Sequence, residues 1–426
     1  MEIYQADMLI DGSGEAPQQN VEIFVEDGII QDVAPAGVRD RPTDAQIYAN
    51  PGLTVLPGFI DVHVHLMFGS GPRTYDDVVT HDSDELMLLR GARNAYLHLR
   101  AGVTTLRDCG ARNRVTFDLR KGADAQLFLA PRMHLCGRPL TITGGHFWWC
   151  NEEADGVDGV RTATRKLLKE GADVIKIMAS GGGSTDSWFA SYSVPELSAA
   201  VEEAHQVGKK TTAHCLAAES IDRAVDAGID QIEHFNFLQP DGSRVFDDRV
   251  AEKIAARGTF MSPTIQTSYR QLERLQEREG TLTPPERELL DDYRYKIETK
   301  LDFVRRFYEL GAPIVMGTDA IQQFGDYALG LELLHRAGLS PMDVILAATG
   351  RAAQAIGSER EVGMVRPGMH ADFIFIDGDP LEDVRALGRV VSVVQAGRTV
   401  VDKRFDMGGS IPALIDGTVP LAPAIH

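Results

Sequence analysis

The chain is expected to fold as an α/β protein: a (β/α)8 TIM barrel carrying a small β-sandwich built from both termini. Three observations predict this. Short apolar runs alternate with longer amphipathic patterns about eight times through the middle of the chain, as parallel β-α units do. Both ends carry β-branched runs around tight turns, and neither end alone has enough strands for a closed core. The length, 426 residues, suits one large barrel with an appendage or two to three domains of about 150 residues.

The elements follow in order. Residues 21–35 hold short β-branched runs around the turn Asp27-Gly28. Residues 371–378 and 390–401 look alike, the second turning at Ala396-Gly397. Candidate barrel strands are 59–65, 103–107, 132–136, 173–178, 210–214, 230–234, 259–262 and 313–318. Amphipathic segments lie between them at 84–100, 161–170, 195–207, 217–227 and 341–356, several closing on a glycine such as Gly171 or Gly228. The predicted division is 1–58 and 361–407 for the sandwich, 59–360 for the barrel and 408–426 for a tail. A charged insertion, 266–306, is expected to form a solvated helical hairpin. A doubly wound sheet would need a Gly-rich phosphate loop after its first strand, and here that strand ends in His-Val-His.

Composition excludes several classes. Lys plus Arg total 43 against 62 Asp plus Glu, a formal net charge of −19, the wrong sign for nucleic acid or an anionic membrane. No apolar run reaches the roughly 18 residues of a membrane span. The first residues show no signal peptide. The four cysteines show no CxxC, so they read as reduced thiols of a cytoplasmic protein.

The chemistry sits at predicted strand ends. In Gly58-Phe-Ile-Asp-Val-His63-Val-His65, strand alternation sends both imidazoles to one face, about 7 Å apart along the chain. They can converge on a metal ion. Lys176 is centred in the apolar run 173–178. A buried ammonium is costly unless it is paired or neutralised. A neutral amine can take up CO2 as a carbamate, a two-oxygen anion able to bridge two cations. His214 and His234 close consecutive strands, and Asp319 closes the last. All would point from the rim where barrels of this kind place active sites.

As an ordered set, these motifs resemble the metal-dependent amidohydrolase superfamily over the chain up to about residue 407. The resemblance implies two divalent metal ions, usually zinc, and a carbamate formed from CO2 on Lys176. It implies that His63, His65 and Asp319 hold the more buried ion, that His214 and His234 hold the more exposed one, and that Lys176 bridges them. A hydroxide shared by two cations would attack a carbonyl, with Asp319 passing its proton to the leaving nitrogen. His214 is followed by Cys215-Leu216-Ala217, without the His-x-x-Glu of the mononuclear deaminases. Hydrolysis is therefore favoured over deamination, and imidazolonepropionase activity is disfavoured despite general similarity.

Among binuclear members, the chain looks most similar to prolidase-like dipeptidases and to arylamide or carbamate hydrolases. The stretch Leu140-Thr-Ile-Thr-Gly-Gly-His146 resembles their TGGH-like loop, which implies that His146 contacts substrate near its carbonyl. Those enzymes often carry a Tyr before the strand-six His, where this chain has Glu233. Trp148 and Trp188 are candidate pocket walls. The loop beginning Ser180-Gly-Gly is expected at the rim. The expected activity is hydrolysis of an amide in an N-acyl amino acid, dipeptide, aryl amide or carbamate. Alternatives are a lactonase or phosphotriesterase-like activity on the same centre, or a non-catalytic scaffold. A small molecule is the expected partner, and the resemblance implies a homo-oligomer.

Overall fold

The computed structural model describes residues 1–69, 78, 80–182 and 185–405. The tail 408–426 lies outside them. The chain begins with β1 (Glu2–Leu9), β2 (Gln18–Glu26), β3 (Ile29–Pro35) and β4 (Gln46–Pro57). The middle holds β5 (Phe59–Val64), β6 (Val103–Asp108), β7 (Arg132–Leu135), β8 (Leu140–Thr141), β9 (Glu152–Glu153), β10 (Val174–Met178), β11 (Lys210–Ala217), β12 (Gln231–Leu238) and β13 (Phe260–Ser262). β14 (Phe373–Asp377), β15 (Val390–Gln395) and β16 (Arg398–Asp402) follow.

The two ends of the chain build one seven-stranded sheet, ordered β16-β15-β14-β4-β1-β2-β3. β4 is the link: it pairs in parallel with β1 and antiparallel with β14. The sheet curls until its two turns meet. The Ala371 amide donates to the Gly28 carbonyl at 2.8 Å, and the Gly397 amide donates to the Ala371 carbonyl at 3.0 Å. A Cβ on Gly28 would stand 2.9 Å from the Ala396 carbonyl oxygen, and its φ is +76°, so only glycine fits there. Tyr4, Val25, Val55, Phe373 and Phe375 share the enclosed core. The Tyr4 ring stacks on Tyr48 at 4.7 Å and meets Phe373 edge-on at 5.0 Å.

The middle strands are parallel. β5-β6-β7 form one group, and β13-β12-β11-β10-β8-β9 another. Backbone hydrogen bonds join the groups on both sides. The Asp173 amide, just before β10, donates to Leu135 of β7 at 2.8 Å. On the other side, residues 313–320 run between β13 and β5. Val315 donates to Met261 at 3.0 Å, Val62 to Met316 at 3.1 Å and Asp319 to His63 at 2.7 Å. The predicted eighth strand is thus in place but reduced to isolated bridges, Met261 to Ile314 and Val64 to Ala320. A φ of 52° at Asp319 interrupts the extended backbone there. Two strands run further than expected: β11 to Ala217 and β12 to Leu238.

One expectation is corrected. The insertion forms the expected pair of helices, Ile265–Gln276 and Pro284–Glu309, but its inner face is packed, not solvated. Leu290, Ile297, Phe303 and Phe307 of the second helix are buried. Phe307 packs against Phe235 and Phe237 of β12 at 5.2 and 6.0 Å between ring centres. The charges that dominate its sequence cover the opposite face. Thr283 and Glu286 close its N-terminus as a capping box.

Candidate metal centre and cavity

His63 and His65 leave β5 on one face, as strand periodicity requires, with their Nε2 atoms 3.3 Å apart. Each ring is oriented through its other nitrogen. His63 Nδ1 lies 2.8 Å from the Glu233 carboxylate, and His65 Nδ1 lies 3.0 Å from the Gly110 carbonyl. Both Nε2 atoms therefore face Asp319, whose Oδ1 is 3.5 Å from His63 and 3.6 Å from His65. Among the described residues, the ligand atoms of His63, His65 and Asp319 lie within 4.8 Å of one another. Metal-binding histidines typically show this pattern, one nitrogen held from behind and the other left for the ion. His63, Cys109 and Glu233 cluster equally closely. That group is a poor site, because Glu233 is taken by other partners and burial pushes the Cys109 thiol up to about 12.

Glu233 is the residue whose role the sequence did not reveal. It is fully buried and accepts from Arg107 at 2.9 Å, from Gln231 at 2.7 Å and from the Thr212 hydroxyl. Arg107 is also fully buried and donates to the Val62 carbonyl at 2.7 Å. Strict alternation would put neighbours Glu233 and His234 on opposite faces. A φ of 68° at His234 breaks the alternation, so both reach the interior. Such left-handed backbone at a non-glycine residue is costly and concentrates at functional sites. Glu233→Gln should weaken the grip on His63 and lower metal affinity by about 10- to 100-fold, the usual effect of removing a partner behind a ligand. A metal titration of the variant checks this, and unchanged affinity would remove Glu233 from the centre.

His214 and His234 stand across from the first pair, with ring centres 4.5 Å apart. His234 Nδ1 lies 2.6 Å from the Thr264 hydroxyl and 4.0 Å from Asp319 Oδ2. His214 Nε2 lies 3.0 Å from the Gly181 carbonyl. Lys176 is buried, and its Nζ has no hydrogen-bond partner. It lines the same cavity as His63, His65, His214, His234 and Asp319, and its charge bears on all five. An orphaned buried ammonium is expensive, so this position suits a group that changes its charge or acquires a ligand.

Burial sets the protonation of the site. It holds the imidazoles neutral, with His65 brought down to about 4 and His146 to about 3. Neutral imidazole is the form that binds metal. Burial raises Asp319 to about 7, opposed by the charge of Lys176. Four neutral imidazoles, one carboxylate and one unpartnered amine are a donor set that fits divalent cations.

These groups form the floor of a cavity of about 410 Å³, whose walls include Phe68, His146, Phe147, Tyr293 and Ile297. That volume suits a small-molecule ligand. His146 is buried 4.8 Å from the His214 ring. Gly182 packs so tightly against it that a Cβ would come within 2.4 Å of the imidazole. The expected rim loop thus supports His146. Its residues 183 and 184 lie outside the described residues. Trp148 and Trp188 depart from expectation: they are 50% and 46% exposed and do not border this cavity. Phe147 is the aromatic that does, since its positive φ of 53° turns it inward beside His146. The helical insertion contributes Tyr293, Lys296, Ile297 and Lys300.

The profile described as Amidohydrolase family matches residues 54–400, and the chain belongs to that family. It is a hydrolase acting on carbon–nitrogen bonds, as its named relatives are. It is similar to ochratoxinase of Aspergillus niger, 28% identical over 422 residues covering 90% of this chain and 82% of the relative. The crystal structure of A. niger ochratoxinase matches with a TM-score of 0.80 at 26% identity, over 93% of this chain and 95% of that one. A crystal structure of a Xaa-Pro dipeptidase with methionine bound in its active site matches with a TM-score of 0.82 at 26% identity, over 93% and 99% of the two chains. Imidazolonepropionase of Symbiobacterium thermophilum is 24% identical over 419 residues, covering 90% of this chain and 88% of the relative. No helix among the described residues is long and apolar enough to cross a membrane.

Proposed function

We propose that this protein hydrolyses the amide bond of a small molecule at a centre of two divalent ions, zinc foremost. The observation that carries this reading is the convergence of His63, His65 and Asp319 on one point of the cavity floor, beside the unpartnered Nζ of Lys176. His63, His65 and Asp319 would hold one ion, and His214 and His234 the other. The Lys176 amine, once deprotonated, would add to CO2 with loss of a proton, and the resulting carbamate oxygens would bridge the pair. When bound, such ions polarise a carbonyl and lower the pKa of a water.

The protein's own groups do the rest. Asp319 accepts the proton of the attacking water and delivers it to the amide nitrogen as the carbon–nitrogen bond breaks. His146, neutral and held by Gly182, donates a hydrogen bond to the carbonyl oxygen as negative charge develops there. Phe68 and Phe147 exclude water from one wall. The parallel strands serve as a closed (β/α)8 barrel, completed by residues 313–320, and the curled terminal sheet acts as its β-sandwich. Dipeptides, N-acyl amino acids and aryl amides or carbamates are the substrate classes this reading favours, and ochratoxinase and Xaa-Pro dipeptidase among the similar proteins support it.

A panel of dipeptides, N-acyl amino acids, anilides and lactones tests this. Amides should be cleaved and lactones should not. Chelation should abolish turnover and zinc should restore it. Full activity after exhaustive chelation would contradict the reading.

A further inference from the structure

Resting on that reading, we infer that Arg244 and Lys300 form an anion subsite on the outer wall of the cavity, which selects amides carrying a free carboxylate. Both residues line the cavity, as does Lys296. Lys296 is neutralised by Asp292 one helical turn away. Arg244 and Lys300 have no carboxylate partner among the described residues. Lys300 is buried, and its ammonium donates only to neutral oxygens, the His234 carbonyl and Asn236 Oδ1. Its one other neighbour of note is the face of Phe235, 4.6 Å away. Arg244 is held by an antiparallel bridge between its backbone and Leu238, and its guanidinium lies 5.7 Å from the Tyr295 ring centre.

The two cations line one cavity, Lys300 buried and Arg244 half-buried. Adjacent like charges in a partly desolvated wall are unfavourable alone and favourable once an anion joins them. Among the described residues, the only carboxylate lining the same cavity is Asp319, on the floor. Asp292 favours the Arg244 charge without pairing with it, and its own partner is Lys296. A substrate carboxylate supplies the missing charge through charge-assisted hydrogen bonds, bidentate at the guanidinium. The wall is assembled from two separate elements. Arg244 follows the extended end of β12, and Lys300 comes from the helical insertion, so the insertion acquires a role in recognition.

The test uses two amides that differ only in the carboxylate, N-benzoyl-L-phenylalanine and N-benzoylphenethylamine, with benzoate release as the assay. The parent enzyme should prefer the acid by about tenfold or more in kcat/KM. Arg244→Gln should collapse that ratio towards one, mainly through the KM of the acid, and Arg244→Lys should keep part of it. Calorimetric binding of 3-phenylpropanoate, which has no scissile bond, should weaken about tenfold in Arg244→Gln. Cleavage of both amides at equal rates, or an unchanged ratio and unchanged phenylpropanoate binding in Arg244→Gln, would overturn the subsite while leaving amide hydrolysis standing. Cleavage of neither amide, with phenylpropanoate binding still dependent on Arg244, would support the subsite and count against the amide reading.

Discussion

Asp319→Asn is expected to lower kcat by on the order of 10²-fold or more, the usual contribution of a positioned acid-base group. The amide keeps the shape of the side chain and one oxygen towards His63 and His65, which now stand 3.5 and 3.6 Å from Oδ1. It cannot accept the proton of the attacking water. Because that transfer occurs only on the way through the transition state, kcat should fall far more than KM changes. Steady-state kinetics alongside metal analysis separates this from simple loss of an ion. A variant with near-normal kcat would mean that another group is the base.

Lys176→Ala should be as damaging by a different route. The side chain is buried at the meeting point of four imidazoles and Asp319, with no hydrogen-bond partner for its Nζ. If its carbamate bridges two ions, its removal takes away a ligand from both. Metal content should then drop, and kcat/KM should fall by on the order of 10²-fold or more. Short carboxylates such as acetate or propionate, added with zinc, should restore part of the rate by supplying two oxygens in the vacated space. Wild-type rate and metal content in Lys176→Ala would contradict the bridging role.

Much of this site was legible in the sequence because it obeys simple periodicities. His63 and His65 are two residues apart on a strand, so their common face follows from alternation. His214, His234 and Asp319 were expected at strand ends, although β11 and β12 run on past the two histidines. Glu233 was not, because alternation assigns it to the face opposite His234. Only the left-handed backbone at His234 lets both point inward, and no residue type announces that conformation. Arg107 gave no signal either, since it only closes the expected strand 103–107, whereas here it is buried with Glu233. The insertion was misjudged from its charge. Its helix buries Leu290, Ile297, Phe303, Val304 and Phe307 on one face, an apolar stripe that a helical reading could have found. Phe147 rather than Trp148 lines the cavity because of one positive φ, again a local choice that composition does not encode.

The central claim is a centre of two ions held by six side chains. Metal analysis by atomic emission on protein saturated with zinc in bicarbonate buffer, then freed of loose metal, tests it most directly. The account predicts about two zinc ions per chain, falling by at least one in Lys176→Ala. A parent protein that holds one ion or none under those conditions would contradict it.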